Sequence, residues 1–312
     1  MEEPKLTLIT SQGFADYVLL DCGAGRKLER FGKIVVDRPE PQALWQPRLP
    51  KAEWAKANAV FSASGEDDEK GKWRIDKPVP ESWPVNLALS PARPPAGSTA
   101  TTPDVRVHCK LSGLWHLGLF PEQEPHWRWM LEQLARVEGE PPRVLNLFGY
   151  TGAASLLAAR VGAEVTHVDA SKKAVAWGRE NQAASKMEAA KIRWIVDDAA
   201  KFVAREVRRG KTYHMILVDP PKFGRGPEGE VWDLFTHLPG LLNDLAKLLA
   251  PKHAAMVLTV YAIRASALAF DQVMRDTLSG KGGTFDCGEL AIKSKSGPAV
   301  PTSLFVRWSA AP

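Results

Sequence analysis

The sequence predicts an α/β protein in which a doubly wound, mostly parallel sheet with an antiparallel edge strand follows a smaller, β-rich N-terminal domain. The main observation is that short apolar runs alternate with helical stretches from residue 143 onward, as in parallel sheets with crossover helices. The last two strand-like runs are joined by a short loop, which indicates an antiparallel edge. The first 104 residues contain short strand-like runs broken by prolines and glycines, which predicts a separate β-rich unit.

The elements before residue 121 are short, because prolines interrupt β-ladders and small polar residues favour turns. In chain order, we expect strands at 17–22 and 34–37, a proline-rich passage at 38–47, a helix at 51–61, a charged loop at 62–72, a linker at 90–103, a strand at 105–111 and an extended stretch at 116–120. The predicted domains are therefore 1–104, a candidate docking module for the substrate, and 105–312, which carries the sheet.

The elements after residue 142 alternate regularly. We expect strands at 143–148, 164–168, 192–196, 213–218, 254–260, 284–292 and 303–308, and helices at 152–161, 171–185, 199–209, 235–249 and 265–279. Because crossovers between parallel strands are right-handed, such helices cover both faces of the sheet. Ligands of open parallel sheets bind beyond the carboxyl ends of the strands, near the point where the strand order reverses.

The composition narrows the class of protein. The 41 Lys and Arg against 36 Asp and Glu give a formal charge of +5, which is compatible with a polyanionic partner without identifying one. No signal peptide opens the sequence and the longest apolar run, near 254–263, is too short to span a bilayer, so we expect a cytoplasmic protein without a membrane partner. The three cysteines lie far apart, which predicts neither a disulfide framework nor a metal site.

A glycine-containing turn follows the first strand of the sheet domain. This strand carries Asn146 near its end, and the turn that follows spans residues 148–152. Gly149 and Gly152 allow backbone N–H groups and the amino terminus of the next helix to approach a ligand closely. Taken alone, the stretch fits an ordinary strand-to-helix turn equally well.

Acidic residues follow the next strands of the sheet domain. Asp169 ends the second strand, where a carboxylate can accept hydrogen bonds from both hydroxyls of a ribose. Asp197 and Asp198 follow the third strand. Either can accept a hydrogen bond from an adenine amine, while the other is interpreted as the cap of the next helix.

The fourth strand is followed by Asp219-Pro220-Pro221-Lys222-Phe223. Two prolines cannot extend a β-ladder, so they form a stiff turn that fixes the Asp219 carboxylate and the Pro220 carbonyl. Two acceptors side by side suit a flat substrate that carries an amino or imino group. Phe223 can stack on such a substrate, and Lys222 can bind a phosphate.

Together these motifs resemble class I S-adenosylmethionine-dependent methyltransferases, which have a Rossmann-like sheet. More narrowly, the first motif, Asn-x-Phe-x-Tyr-Thr-Gly at 146–152, and Asp-Pro-Pro-Lys-Phe at 219–223 resemble the branch that methylates large-subunit ribosomal RNA. Gly118-Leu-Phe-Pro-Glu-Gln123 is similar to the segment that precedes the core in that branch and closes over the cofactor. The resemblance covers about residues 110–312.

The resemblance implies roles for individual residues. The methionine end of S-adenosylmethionine is expected beside Asn146, Phe148, Gly149, Tyr150, Thr151 and Gly152, with its ribose on Asp169, its adenine on Asp198 and Ala199, and Gln123 also lining the pocket. Asp219, Pro220 and Phe223 are the expected catalytic residues, with Asp219 facing the methyl acceptor. Phe148 and Tyr150 replace the glycines of a dinucleotide loop, which argues against a pyrophosphate.

One departure from the resemblance limits the chemistry. Members that methylate C5 of cytosine place a cysteine after the fourth or fifth strand, and this sequence has none at either position. We therefore expect direct methyl transfer to a base nitrogen in RNA, with ribosomal RNA as the expected substrate, without a catalytic cysteine and without a metal. Lys222, Arg225 and Arg264, with Lys293 and Lys295, are the expected RNA contacts, whereas the basic group at 205–211 is interpreted as a solvated helix face.

Two other classes of protein remain open at this point. A nucleotide-dependent oxidoreductase on the same kind of sheet would bind NAD. A non-catalytic RNA-binding protein would keep the cofactor pocket only as structure.

Overall fold

The computed structural model describes residues 5–11, 13–64, 67–89, 104–113, 115–261 and 263–311. Its strands are β1 (Leu6–Ser11), β2 (Tyr17–Gly23), β3 (Arg26–Phe31), β4 (Ile34–Pro39), β5 (Ala59–Ser64), β6 (Asp67–Ile75), β7 (Trp83–Leu87), β8 (Val105–Cys109), β9 (Arg143–Leu147), β10 (Glu164–Asp169), β11 (Ile192–Val196), β12 (Met215–Val218), β13 (Phe223–Arg225), β14 (Val231–Asp233), β15 (Ala255–Tyr261), β16 (Thr284–Lys293) and β17 (Ala299–Ser309). Its helices are α1 (Lys51–Trp54), α2 (Glu124–Leu134), α3 (Ala153–Arg160), α4 (Lys172–Ala184), α5 (Ala199–Arg208), α6 (Leu234–Lys247) and α7 (Ala267–Thr277), and a 3-10 turn spans Pro121–Gln123.

An eight-stranded sheet forms the centre of the molecule, in the order β1-β16-β17-β15-β12-β9-β10-β11. The strands β9, β10, β11, β12 and β15 are parallel, and β17 runs antiparallel to both of its neighbours. The predicted fold class is therefore confirmed. Strand β1 was not predicted from the sequence. It pairs in parallel with β16 and forms one edge of the sheet.

Successive side chains of the central strands pack into two different cores, because they point to opposite faces of the sheet. In β9, Val144 belongs to the core under α2 and α3, whereas Leu145 and Leu147 belong to the core under α5 and α6. Both faces are thus covered, which explains why the central strands read as continuous apolar runs.

The strand order reverses between β9 and β12. From β9 the chain proceeds outward to β10 and β11, and then returns to place β12 and β15 on the other side. The carboxyl ends of β9 and β12 therefore flank the switch point, where open α/β sheets bind their ligands.

The N-terminal region forms a second sheet, in the order β2-β3-β4-β5-β6. The helix predicted at 51–61 is wrong beyond Trp54, because the chain continues as β5. The loop predicted at 62–72 is also wrong, since β6 occupies most of it. The linker predicted at 90–103 lies outside the described residues.

Several pairings link residues on either side of position 104, where the sequence divides into two predicted domains. The strand β7 pairs with β8, and β1 belongs to the large sheet. One hydrophobic core contains side chains of both regions, such as Phe31 and Leu156. The division into 1–104 and 105–312 stays a prediction. The contacts named above join the two predicted domains and would be lost if these domains separated.

A buried ionic cluster holds the N-terminal sheet together. Glu29 is fully buried and accepts hydrogen bonds from the Arg38 guanidinium and from the Tyr17 hydroxyl at 2.8 Å. Beside it, Lys27 donates to Glu40 at 2.9 Å. Burial raises the pKa of Glu29, but the adjacent Arg38 and Lys27 outweigh it and hold that pKa below its ordinary value, so the carboxylate stays charged.

The lengths of the helices decide whether any of them could cross a membrane. The longest described helix, α6, has 14 residues. None of the described helices is long and apolar enough to cross a membrane.

Candidate active site

A cleft of about 560 Å³, counting its open mouth, lies at the switch point of the sheet. The lining residues come from the segment before α2, from α2, from the β9–α3 turn and from the ends of β12 and β15; they are Gly118, Leu119, Phe120, Gln123, His126, Trp127, Asn146, Phe148, Gly149, Tyr150, Thr151, Ala153, Ala154, Leu217, Val218, Asp219, Val257 and Thr259.

The turn at 148–152 has an unusual backbone. Phe148, Tyr150 and Gly152 have φ values of 56°, 51° and 82°, so every second residue lies in the left-handed region. Only glycine adopts that region without strain, and strain of about 1–3 kcal/mol per residue is retained mainly at functional sites. Two bulky side chains held in this conformation therefore favour a ligand-binding turn over an ordinary connection.

Gly149 is required by a close approach of His167. A Cβ atom at position 149 would lie 2.5 Å from the His167 Cε1 atom and 2.6 Å from its Nδ1 atom. The His167 ring is fixed by Ser155, whose hydroxyl lies 3.0 Å from Nδ1 and also accepts a hydrogen bond from Asn146. Asn146 thus lines the cleft while it supports the turn from below.

Three of the five backbone N–H groups of the turn already have acceptors within the protein. Gly149 donates to the Val168 carbonyl, Tyr150 donates to the Asp169 carboxylate, and Gly152 donates to the Gly149 carbonyl. A dinucleotide-binding loop instead presents such groups to a pyrophosphate. The geometry therefore gives a physical reason why this turn does not suit a dinucleotide.

Asp169 stands at the end of β10, beside the turn. Its two oxygens accept hydrogen bonds at 2.8 Å from the backbone N–H groups of Tyr150 and Ser171. Burial raises its pKa, and the two backbone donors oppose that shift. Because a carboxylate offers about four acceptor sites, Asp169 can still accept from two ligand hydroxyls.

The two aspartates after β11 have different partners. Asp197 pairs with the Arg205 guanidinium. Asp198 is the N-cap of α5 and accepts from the Lys201 backbone N–H at 2.9 Å through Oδ1. Its Oδ2 atom makes no hydrogen bond among the described residues, so a capping role and an adenine contact are compatible. Four of the expected cofactor residues do not line the cleft: Gly152, Asp169, Asp198 and Ala199.

Asp219 begins a short chain of polar groups across the cleft. The Gln123 amide donates to Asp219 Oδ2 at 3.2 Å, and the Thr259 hydroxyl approaches the Gln123 oxygen at 3.5 Å. Burial, followed by the nearby negative charge of Glu122, raises the pKa of Asp219 to about 7. A carboxylate with such a pKa can accept or release a proton near neutral pH.

The other residues expected to act on the substrate lie outside the cleft lining. Pro220 is buried beneath it, and Phe223, Lys222 and Arg225 belong to or adjoin the β13–β14 hairpin. Phe223 is 62% exposed and its ring lies outside the cleft lining, so its stacking on the substrate stays a prediction. Arg264 is exposed in the segment after β15.

Helix α2 contributes cleft residues that the sequence reading missed. His126 and Trp127 are buried on α2 and line the cleft, and Glu122 is buried just before it. Two signals for the helix were present: Pro125 near its start, and apolar side chains at helical spacing from Trp127 to Leu134. The His126 Nδ1 atom accepts a hydrogen bond from Arg307 at 2.9 Å.

The cysteines do not take part in the cleft. Cys22, Cys109 and Cys287 are buried and free, and none of them lines the cleft. Burial raises the pKa of all three thiols, that of Cys287 to about 11. Within the described ranges, no group of three or more His, Cys, Asp or Glu side chains is arranged to hold a metal ion.

Comparison with known proteins identifies relatives of the whole chain. The family model described as S-adenosylmethionine-dependent methyltransferase matches residues 101–279. The crystal structure of the SAM-dependent methyltransferase from Agrobacterium tumefaciens is 45% identical, covers 97% of this chain and 93% of its own, and superposes with a TM-score of 0.88. A candidate SAM-dependent methyltransferase from Streptococcus mutans shares the fold at 17% identity, with a TM-score of 0.67 over 95% of this chain and 76% of its own.

Similar proteins with curated names match a shorter stretch. The ribosomal RNA large subunit methyltransferase K/L of Shewanella baltica (strain OS155) is 33% identical over 143 residues, which is 45% of this chain and 19% of that protein. The protein of the same name from Shewanella oneidensis is 34% identical over 143 residues. The matched stretch thus spans about a fifth of the length of these relatives.

Proposed function

Since the chain belongs to the S-adenosylmethionine-dependent methyltransferases, we propose that it transfers a methyl group to a base nitrogen of RNA, with large-subunit ribosomal RNA as the substrate class. The observation that carries this proposal is Asp219. Its carboxylate lies in the cleft, is held by Gln123, and has a pKa of about 7. Such a group can orient an N–H acceptor and take its proton.

Residues that line the cleft, together with residues at the ends of β10 and β11, fit S-adenosylmethionine. The Asp169 carboxylate would hold the ribose hydroxyls, Asp198 with Ala199 the adenine, and the turn at 148–152 the methionine end. Both glycines of the turn are required by close packing. A Cβ atom at position 149 would lie 2.5 Å from His167, and a Cβ atom at position 152 would lie 2.5 Å from Trp194. The sulfonium supplies an activated methyl group when the cofactor is bound.

The protein then has to align the acceptor and accept a proton. Direct transfer needs no covalent intermediate on the enzyme. This agrees with the buried, protonated thiols outside the cleft. Asp219 is the proposed proton acceptor, and Gln123 fixes its carboxylate through the 3.2 Å hydrogen bond.

The RNA substrate is supported by the Shewanella proteins, whose names specify large-subunit ribosomal RNA, and by the formal charge of +5. We retain Lys222, Arg225 and Arg264 as proposed RNA contacts. The N-terminal region 1–104 remains our candidate docking module, and a cytoplasmic location remains a proposal.

Replacement of Asp169 by alanine should weaken cofactor binding about 30- to 150-fold, or about 2–3 kcal/mol, because a charged pair of hydrogen bonds to the ribose is lost. Calorimetric titration with S-adenosylhomocysteine measures this affinity. Asp244→Asn provides a matched control, since Asp244 lies on α6 in an ion pair with Lys247. Unchanged affinity in Asp169→Ala would place the ribose elsewhere.

The substrate class is tested with ribosomal RNA from a strain that lacks the gene. The purified protein should methylate this RNA with labelled S-adenosylmethionine. Mass spectrometry of the product should show one methylated nucleoside, the one that the RNA of the deletion strain lacks. Binding of NAD without S-adenosylhomocysteine would instead support an oxidoreductase. Cofactor binding by a wild type that methylates no RNA would support a non-catalytic RNA-binding protein.

A further inference from the structure

A short hairpin follows Asp219 and is rigidly attached to the cleft. Trp232 in β14 is buried and donates its indole N–H to the Pro221 carbonyl at 2.7 Å. The same ring lies 5.1 Å from Phe148, which lines the cleft, and stacks on His237 at 5.6 Å. These contacts connect the hairpin both to the turn after Asp219 and to a residue of the cleft lining.

The opposite face of the hairpin is exposed. Because side chains alternate along a strand, Gly224 and Trp232 share the inner face, while Phe223, Arg225, Val231 and Asp233 share the outer face. Phe223 and Val231 are 62% and 65% exposed. We call Phe223, Arg225 and Val231 the hairpin platform.

The hairpin and its surroundings carry charges of both signs, and two of the cations have no ion-pair partner among the described residues. Glu228 and Glu230 are both paired with Lys201, and Asp233 caps α6 through the Thr236 N–H. Lys222 lies 5.0 Å from the centre of the Phe223 ring. Neither Lys222 nor Arg225 makes an ion pair with any residue that the structure describes.

We propose that the hairpin platform stacks a base of single-stranded RNA that neighbours the methylated nucleotide, with Lys222 and Arg225 on the adjoining phosphates. An exposed ring beside unpaired cations is the combination that binds single strands without sequence preference. Phe223 follows Asp219 by four residues, so their Cα atoms are at most about 14 Å apart. The proposal rests on the RNA substrate proposed above and gives Phe223 a role outside the cleft.

The stacking contact is tested by fluorescence anisotropy with a labelled single-stranded RNA of about 12 nucleotides, in the presence of S-adenosylhomocysteine. Phe223→Ala should weaken binding about tenfold, and Phe223→Trp should restore it. Leu268→Ala is the matched control, because Leu268 is 44% exposed on α7, outside the hairpin and the candidate docking module. Equal affinities of wild type and Phe223→Ala would overturn the proposal and leave the patch as a protein-binding surface.

The phosphate contact has its own measurement. Arg225→Gln should reduce the slope of log Kd against log salt by about 0.7, the value for one phosphate contact on a single strand. An unchanged slope would remove Arg225 from the interface.

Methyl-transfer kinetics separate this proposal from the proposed function. Phe223→Ala should raise the KM for RNA about tenfold and leave kcat and S-adenosylhomocysteine affinity unchanged. A wild type that methylates no RNA contradicts the proposed function itself. If the wild type is active and Phe223→Ala has the same KM for RNA, only the role of the hairpin platform is contradicted. The same holds if Phe223→Ala loses affinity for S-adenosylhomocysteine.

Discussion

Replacement of Asp219 by asparagine should lower kcat for methyl transfer about 10²- to 10⁴-fold. The amide keeps the size of the carboxylate and can still bond to Gln123, but it cannot accept a proton. Affinity for S-adenosylhomocysteine should stay within about threefold, because Asp169 and the turn at 148–152 are untouched. Single-turnover assays together with calorimetry measure both quantities, and a variant with nearly full kcat would exclude Asp219 as the base.

The pH dependence of the same reaction provides an internal control. With a pKa of about 7, Asp219 is protonated and unable to act as a base at lower pH, so kcat/KM should rise between pH 6 and 8. Glu122→Gln removes a negative charge that raises this pKa, and should shift the rise to lower pH. A profile that does not move in Glu122→Gln would show that another group titrates.

Replacement of Glu29 by alanine should lower the free energy of unfolding by about 3–5 kcal/mol. The variant leaves the Arg38 guanidinium buried without its carboxylate and close to the cationic Lys27. Urea unfolding followed by tryptophan fluorescence measures the loss. Asp76→Ala, which breaks an exposed pair with Arg74, should leave the midpoint unchanged.

A double variant identifies the cause of that loss. Glu29→Leu combined with Arg38→Met removes both charges and fills similar volume, so it should recover most of the lost stability. If the double variant is as unstable as Glu29→Ala, the loss comes from packing around Tyr17 and not from an unpaired charge.

The sheet and the cleft could be predicted from the sequence because their signals are local. Mostly apolar runs such as 144–148 and 215–218 lie between helical stretches, and each brings a polar residue to the switch-point edge, Asn146 within the first run and Asp219 directly after the second. Seven expected site residues do line the cleft: Gln123, Asn146, Phe148, Gly149, Tyr150, Thr151 and Asp219. Their roles remain proposals.

What could not be predicted depends on pairing with distant residues. The polar strand β6 gains its partner from β5, and the charged residues in it resemble a loop when read alone. The position of Phe223 depends on the hairpin with β14, which fixes its ring outside the cleft. The pKa of Asp219 is raised first by burial and second by Glu122, which precedes it in the chain by almost a hundred residues, and both causes exist only in the folded protein.

The pairing of β1 with β16 has a consequence for synthesis of the protein. Thr7 lies opposite Gly288, where even a Cβ atom would collide with the Thr7 carbonyl at 1.9 Å. At 5–20 residues per second, β1 waits roughly 15–60 s on the ribosome before β16 emerges. During that interval its unpaired backbone groups, with Leu6 and Leu8 beside them, are open to other strands. A nascent chain should therefore depend on chaperones until its last strands are made, and a fragment that starts after β1 should aggregate through the bare edge of β16.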